Sequence, residues 1–572
     1  VISSNNDILN MLPLRKIFKI KLTYFKPIIL LVMLCSMASS KTFALRPFLN
    51  QPIAGLDTIE SEVPFGMRAR VKPRKINMVK APVIIRKAPT NETTLIKLQS
   101  GVIKIFYINR PGNADKMMSI SSTDMGWTWN APEVEFDLPG EAYYANQVMQ
   151  DKDGTVHCIY HIFKPGNLGY RGRHLDLWYT KKKPGEKWTE PKMIFNGYVG
   201  SVRGFMQLKN GRLVIPMSES DTSRASKPTH GDTDYGLFQV ITLNSDDAGM
   251  SWEKSSTKLK IPIDKNQVTR YGAVEPNAIE LNDGRIWMLI RTNKGFLYET
   301  YSHDSGTSWE EPKKSDFISS DSPASTLRLK NGKIILFLNQ DQRYDDNRSY
   351  ANGGREALHA AFSTDEASTW KGFREVLVSP ASKPVKRGDR GTAYPSAVEL
   401  DNDKILVVSG QGEEASVFMF DQHWLEEKSQ KDNFKKGLIQ WTNHGSVNNG
   451  VWNFPMTMKG KLCIKLKNHS NSNLVEFALT DHFSVAHDSV ASKISPFYVS
   501  AKMLKTTKAK TIKIEWDMSQ LNSALKINGE NIPTTEFNFS PTKYGFNYLR
   551  IKTESDKIYD AFEHVKMRST HY

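Results

Sequence analysis

The chain has 572 residues, a formal net charge of +16, 39% hydrophobic residues and 24% charged ones. That is too long for a single hydrophobic core, since cores stop growing near ~250–300 residues, and the composition excludes a disordered or fibrous chain. Three cysteines cannot build a disulfide framework. No Cys/His spacing suits zinc, and no Lys/Arg array interleaved with aromatics marks a nucleic-acid surface, so the positive charge points to a different anionic partner.

At the start of the chain, Arg15, Lys16, Lys19, Lys21 and Lys26 precede an apolar run at 27–37 that small residues follow. This is the pattern of a secretory signal peptide, with cleavage expected after Ala44. The run is too short to span a bilayer. A lipoprotein anchor would use Cys35, but bulky Met33 and Leu34 stand where small residues are wanted. Residues 1–44 are therefore expected to be a leader and 45–74 a lead-in segment. The mature protein is expected to be secreted or periplasmic, without an integral membrane segment. In that setting an acidic carbohydrate is the expected polyanion, and no nucleic acid is expected. Cys158 and Cys463 lie far apart and read as buried thiols.

One segment then recurs: an apolar residue, polar residues, a turn, and an alternating apolar run. Copies lie at 98–107, 150–161, 208–217, 281–290, 329–338 and 400–409. Asn-Gly and Asp-Gly between β-rich runs are strong hairpin signals, so six hairpins predict six small sheets. A second motif interleaves with the first. SSTDMGWTW (121–129), SDDAGMSW (245–252), SHDSGTSW (302–309) and STDEASTW (363–370) share a Ser/Asp/Trp pattern, with Ala367 replacing glycine in the last. The tryptophans at 129, 188, 252, 309 and 370 step by about 60 residues, the length of a four-stranded propeller blade. An Asp side chain can accept backbone N–H groups across such a tight turn, Gly permits positive φ, and Trp packs into a seam. Asp124, Asp247, Asp304 and Asp365 are therefore read as scaffold.

This motif is identified as the Asp-box of the sialidase (neuraminidase) superfamily, and the resemblance covers roughly residues 75–425. It implies a six-bladed β-propeller at 75–430. Beyond it, residues 431–572 still alternate apolar and polar (KLCIKLKN, KTIKIEWDM, NYLRIKTE) and predict a jelly-roll-like β-sandwich. The expected fold is thus all-β: a six-bladed β-propeller with a C-terminal β-sandwich domain.

The resemblance also implies a site. GAVEPNAIELNDGRIWMLIRT (272–292) resembles the segment in which a Glu opens a strand and an Arg closes the next, which gives a tyrosine-activating role to Glu275 and carboxylate binding to Arg291. GGREALHAAFSTD (353–365) gives Arg355 as a second carboxylate-binding arginine. GTAYPSAVELDNDKILVV (391–408) looks like the segment of the nucleophilic tyrosine, here Tyr394. Asp115 matches the acid/base aspartate, and Arg110 supplies a nearby positive charge. Where the resemblance implies a first arginine, the chain reads Asn91-Glu92-Thr93. The chemistry is coherent on its own terms. Guanidinium holds a carboxylate bidentately, and a phenol, with a pKa of about 10, needs a base to become a nucleophile.

A further cluster at 157–179 holds His157, His161, Tyr170, Arg171, Arg173 and His174 around a Gly-rich loop. His beside Tyr and Arg suits proton transfer next to a carboxylate, and Arg203 in the next blade could add a cation. His157 and His161 share one face of a strand, but without a third ligand no metal is expected, and no cofactor is implied. Three readings stay open from the sequence. One is sialidase-type hydrolysis of a terminal sialic or uronic acid. The second is a lyase or dehydratase making an unsaturated uronate, with His161, His174, Tyr170 and Arg171 at work. The third is a non-catalytic glycan-binding propeller.

Overall fold

The computed structural model describes residues 75–164, 175–197, 200–220, 238–264, 272–343, 354–379, 391–435, 437, 440–442, 449–467, 474–485, 491–506, 509–553 and 561–571. The leader and lead-in expected at 1–74 lie outside the described residues. So do Tyr170, Arg171, Arg173 and His174 of the Gly-rich loop. Among the described residues, no helix is long and apolar enough to cross a membrane.

The chain is all-β, with many antiparallel sheets and a few short helices. Six antiparallel sets of four strands follow one another; five are separate four-stranded sheets, and the fifth set is the first part of a ten-stranded sheet. The first runs Thr94–Lys97, Ile103–Ile108, Lys116–Ser122, Glu133–Asp137. The second runs Ala142–Gln150, Val156–Phe163, Leu175–Lys182, Lys192–Phe195. The third runs Met206–Gln207, Leu213–Ser220, Phe238–Ser245, Glu253–Lys254. The fourth runs Val274–Glu280, Ile286–Arg291, Phe296–Ser302, Lys313–Ile318. The fifth runs Ser325–Arg328, Ile334–Leu338, Ala357–Ser363, Lys371–Val378. The sixth takes Ser396–Glu399, Lys404–Ser409 and Ser416–Asp421 from late in the chain. Its outer strand, Val83–Lys87, comes from the start and pairs Val83 with Met419. A strand from the start of the propeller-like region thus completes the sixth sheet.

The recurring turn joins the first and second strands in each sheet. In five of them a glycine takes the left-handed conformation there (Gly101, Gly154, Gly211, Gly284, Gly332), and in the sixth Asp403 does. Apolar side chains of the alternating strands then pack sheet against sheet. One cluster joins Ile105 to Leu406, first sheet to sixth. Others join Phe106 to Tyr160, Ile159 to Ile215, Val214 to Met288, Leu289 to Leu336, and Phe337 to Phe418. Each sheet therefore packs on the next, and the sixth on the first.

The Asp-boxes lock the turn between the third and fourth strands. Asp304 accepts from Ser308 N at 2.8 Å, from Ser308 Oγ at 2.6 Å and from Ser302 Oγ at 2.9 Å. Asp124 repeats the pattern with Thr128 and Ser122. Ala367 adopts the left-handed φ of 65° that glycine holds in the other boxes. At Gly126 (φ 81°) glycine is required for space as well, because a Cβ would lie 2.6 Å from Leu406 in the sixth sheet. Trp129, Trp309 and Trp370 pack into three of the clusters between neighbouring sheets.

Residues after 428 continue the ten-stranded sheet and form a six-stranded one. One contains Asn449–Thr457, Phe546–Thr553 and Leu474–Thr480, and the other Phe562–His571, Lys459–Leu466 and Thr511–Asp517. Both contribute to one core that includes Trp452, Phe454, Ile464, Trp516, Leu549 and Val565. Each large apolar side chain buried there contributes about 1.5–3 kcal/mol. This part is joined to the fifth sheet by the pair Gly372–Met456 and by a buried relay: Tyr548 donates to Glu375 at 2.9 Å and bonds His359 Nε2 at 2.5 Å. Cys158 is buried and Cys463 only half-buried, and both are free thiols.

Candidate active site

The loops that precede the first strand of a sheet, or link its second and third strands, all emerge at the same strand ends. Glu92, Arg203, Glu275, Asp321 and Tyr394 lie at or ahead of first strands. Arg291 closes a second strand, and Arg355 precedes a third. Glu92, Glu275 and Tyr394 adopt φ of 51°, 47° and 68°. This conformation costs a non-glycine residue about 1–2 kcal/mol, and such strain collects at functional sites.

These residues form one buried network. Tyr394 donates its hydroxyl proton to Glu275 Oε1 at 3.2 Å, and Arg291 Nη1 donates to the same hydroxyl oxygen at 3.2 Å. Arg291 is ion-paired twice, Nη1 to Glu275 Oε2 at 2.5 Å and Nε to Asp321 Oδ1 at 2.7 Å. Glu275 is fixed further by its backbone N–H, which donates to Ser218 Oγ at 3.0 Å. Arg355 Nη1 donates to Gln411 Oε1 at 2.8 Å, and its Nη2 to the Asp321 carbonyl at 3.0 Å. Gln411 Nε2 donates to Glu92 Oε1 at 3.3 Å, and Ser201 Oγ to Glu92 Oε2 at 2.7 Å. The guanidinium carbons of Arg203 and Arg355 stand 5.0 and 5.2 Å from the Tyr394 ring centroid. Gly391 permits this assembly: a Cβ there would lie 2.4 Å from the Arg355 carbonyl oxygen, which accepts Thr392 N–H at 2.8 Å.

The electrostatics follow from this burial. Loss of solvent pushes the Tyr394 phenol well above its ordinary pKa and the Glu275 charge adds to the rise, while Arg355 and Arg291 pull the other way. Tyr394 therefore rests neutral beside a carboxylate that can take its proton. Burial acts to weaken the proton on Arg291, but Asp321 and Glu275 outweigh it and keep that guanidinium firmly charged.

Of the sequence candidates, the structure brings Tyr394, Glu275 and Arg291 into hydrogen-bonding contact and stacks Arg355 on the tyrosine ring. Asp115 immediately precedes the third strand of the first sheet, at the same strand ends, and accepts from Asn109 Nδ2 at 2.8 Å. That bond holds its carboxyl below the usual range. Arg110 donates to Glu141 and the Ala142 carbonyl and covers the Tyr144 ring at 5.1 Å. Among the described residues, no hydrogen bond or ion pair joins Asp115 or Arg110 to the Tyr394 network. His157 bridges Asp151 and Tyr179 inside the seam between the second and third sheets. His161 is buried, and its Nε2 accepts the Val202 N–H at 3.2 Å. It supports the loop that carries Ser201 and Arg203. Asp321, Gln411 and Ser201 were not legible as site residues, because each enters only through contacts between sheets. Among the described residues, no group of His, Cys, Asp and Glu could hold a metal ion.

His161 makes a pH test available. Burial pulls its pKa from 6.5 down to about 3, so the folded state holds it neutral. Its share of stability is complete above pH 6.5 and is lost as the pH falls toward 3, where the unfolded chain binds the proton first. The melting temperature is expected to drop over that window, and less steeply in His161→Gln. An equal slope in both proteins would remove His161 as the cause.

Residues 142–407 match the BNR repeat-like domain family. A sialidase of Vibrio cholerae serotype O1 (strain ATCC 39541 / Classical Ogawa 395 / O395) is 24% identical over 220 residues, 35% of this chain and 24% of that protein. The match thus spans about a quarter of the curated relative's length. Among solved structures, a Dyadobacter fermentans protein of unknown function aligns with a TM-score of 0.42 and 19% identity, over 60% of this chain and 97% of its own. The NanB sialidase of Streptococcus pneumoniae aligns with a TM-score of 0.41 and 16% identity, over 63% and 72%. Trypanosoma rangeli sialidase in complex with the inhibitor DANA aligns with a TM-score of 0.40 and 10% identity, over 84% and 91%.

Proposed function

The chain belongs to the sialidase/BNR superfamily, and on that premise we propose that it is an exported exo-glycoside hydrolase that removes a terminal acidic sugar from an anionic glycan. In this reading the six sheets are the blades of a six-bladed β-propeller at 75–430, and 431–572 is a β-sandwich that braces it. The observation that carries the reading is the hydrogen bond from Tyr394 to Glu275, reinforced by Arg291.

The steps follow from the geometry. The Tyr394 oxygen attacks the anomeric carbon as its proton passes to Glu275 Oε1, and the bond to the leaving oxygen breaks. Asp115, which takes a proton from solvent once substrate displaces the Asn109 amide that holds the carboxylate ionised, protonates that oxygen. Water then attacks the anomeric carbon, and the bond from that carbon to the Tyr394 oxygen breaks. Asp115 takes the water proton, and Glu275 returns its own to Tyr394. One water is consumed across one glycosidic bond. A neutral phenol suits this task beside an acidic sugar, since it approaches without the repulsion a carboxylate nucleophile would meet.

The test is to incubate the protein with sialosides and, separately, with uronate-terminated oligosaccharides, recording product masses and ultraviolet absorbance. The expected result is products whose masses sum to substrate plus one water, with no new chromophore. An absorbing unsaturated sugar formed without water uptake would assign elimination instead. Unaltered glycans across the panel would leave a binding role.

A further inference from the structure

Arg203 differs from the other cations of the network. It is 4% exposed. Its Nη2 reaches the Pro395 carbonyl only at 3.4 Å. Its Nη1 is buried with no hydrogen-bond partner, and it joins no ion pair, among the described residues. Arg291, by contrast, is neutralised by two carboxylates, and Arg355 is engaged by Gln411 and the Asp321 carbonyl. A guanidinium stays charged under all ordinary conditions. Burying one without an anion is strongly unfavourable, so a protein that keeps it there is incomplete without a negative ligand.

The loop around it is built to hold it in place. The Arg203 carbonyl accepts Asn277 Nδ2 at 2.8 Å, Val202 N–H is taken by His161, and the Ser201 hydroxyl is spent on Glu92. The Arg203 guanidinium carbon stands 5.0 Å from the Tyr394 ring centroid, and the guanidinium hydrogen bond to the phenolic oxygen comes from Arg291 instead.

We infer that Arg203 binds the anionic group of the sugar through Nη1, approaching from the third sheet, while the place where an arginine was expected is filled by Glu92. The sugar that fits carries its carboxylate away from the anomeric carbon, as a hexuronic acid does, because the anomeric carbon must sit at the Tyr394 oxygen and the open cation does not. The identification of the ligand as a sugar rests on the glycosidase reading; the need for an anion does not.

The test uses binding rather than turnover, so that it can fail independently of the hydrolysis reading. Full-length Tyr394→Phe protein is titrated calorimetrically with methyl glucuronide, methyl glucoside and methyl N-acetylneuraminide. The glucuronide is expected to bind ~10-fold or more tightly than the glucoside, as a charge-assisted pair implies. Adding Arg203→Met should erase that gap, and adding Arg203→Lys should keep part of it. The ligand-free melting temperature of Arg203→Met should stay level or rise, because an uncompensated buried charge is removed. A gap that survives Arg203→Met, absence of any gap, tighter binding of the neuraminide than of the glucuronide, or a fall in the ligand-free melting temperature would each overturn the inference.

Discussion

Tyr394→Phe is expected to lower kcat by ~10³-fold or more while leaving substrate binding within a few-fold of wild type. The substitution removes one oxygen. That oxygen is the atom through which Glu275 and Arg291 act on the ring, at 3.2 Å each, and burial keeps it protonated at rest. The ring that carries the Arg203 and Arg355 contacts is retained, so the loss should fall on turnover and spare affinity. Steady-state kinetics together with calorimetric binding checks this. A variant that keeps wild-type kcat would remove Tyr394 from the chemistry.

Glu275→Gln should be damaging twice over. As the group that takes the tyrosine proton, Glu275 is expected to contribute ~10²–10⁴-fold to kcat. As a buried ion-pair partner of Arg291 it also holds the site together, and breaking such a pair typically costs about 3–5 kcal/mol. Asp321 still faces Arg291 Nε at 2.7 Å, and glutamine preserves shape, so a loss of about 2–3 kcal/mol is expected here. Denaturant unfolding and kcat measured on the same protein separate the two effects. If stability falls and kcat does not, Glu275 is structural alone.

Local grammar made the scaffold readable. The hairpin turns and Asp-boxes are set by residues within four positions of one another, as in the Ser302, Asp304, Ser308 set, so six sheets could be anticipated from short segments. The closing strand Val83–Lys87 could not, because its partner lies more than 300 residues away. The site divides in the same way. Glu275, Arg291, Arg355 and Tyr394 stood in segments with recognisable context. Arg203 was noticed only as a loose cation, since nothing local reveals that it would stack on a tyrosine from another sheet. The His157/His161 pair illustrates the opposite error of emphasis. Polar residues within a strand looked like chemistry, yet period-two alternation turned both inward, one onto Asp151 and Tyr179 and the other onto a backbone N–H. The missing first arginine was visible at once as Glu92. Its meaning needed the fold, which ties that carboxylate to Ser201 and Gln411.

The central claim is that Tyr394 becomes covalently attached to the sugar. It is tested most directly by acid-quenching the protein during turnover of a uronate-terminated or sialylated substrate and mapping added mass by peptide fragmentation. A glycosyl adduct on Tyr394, absent from Tyr394→Phe, is the predicted result. Continued turnover with Tyr394 unmodified at every quench time, or an adduct on another residue, would contradict it.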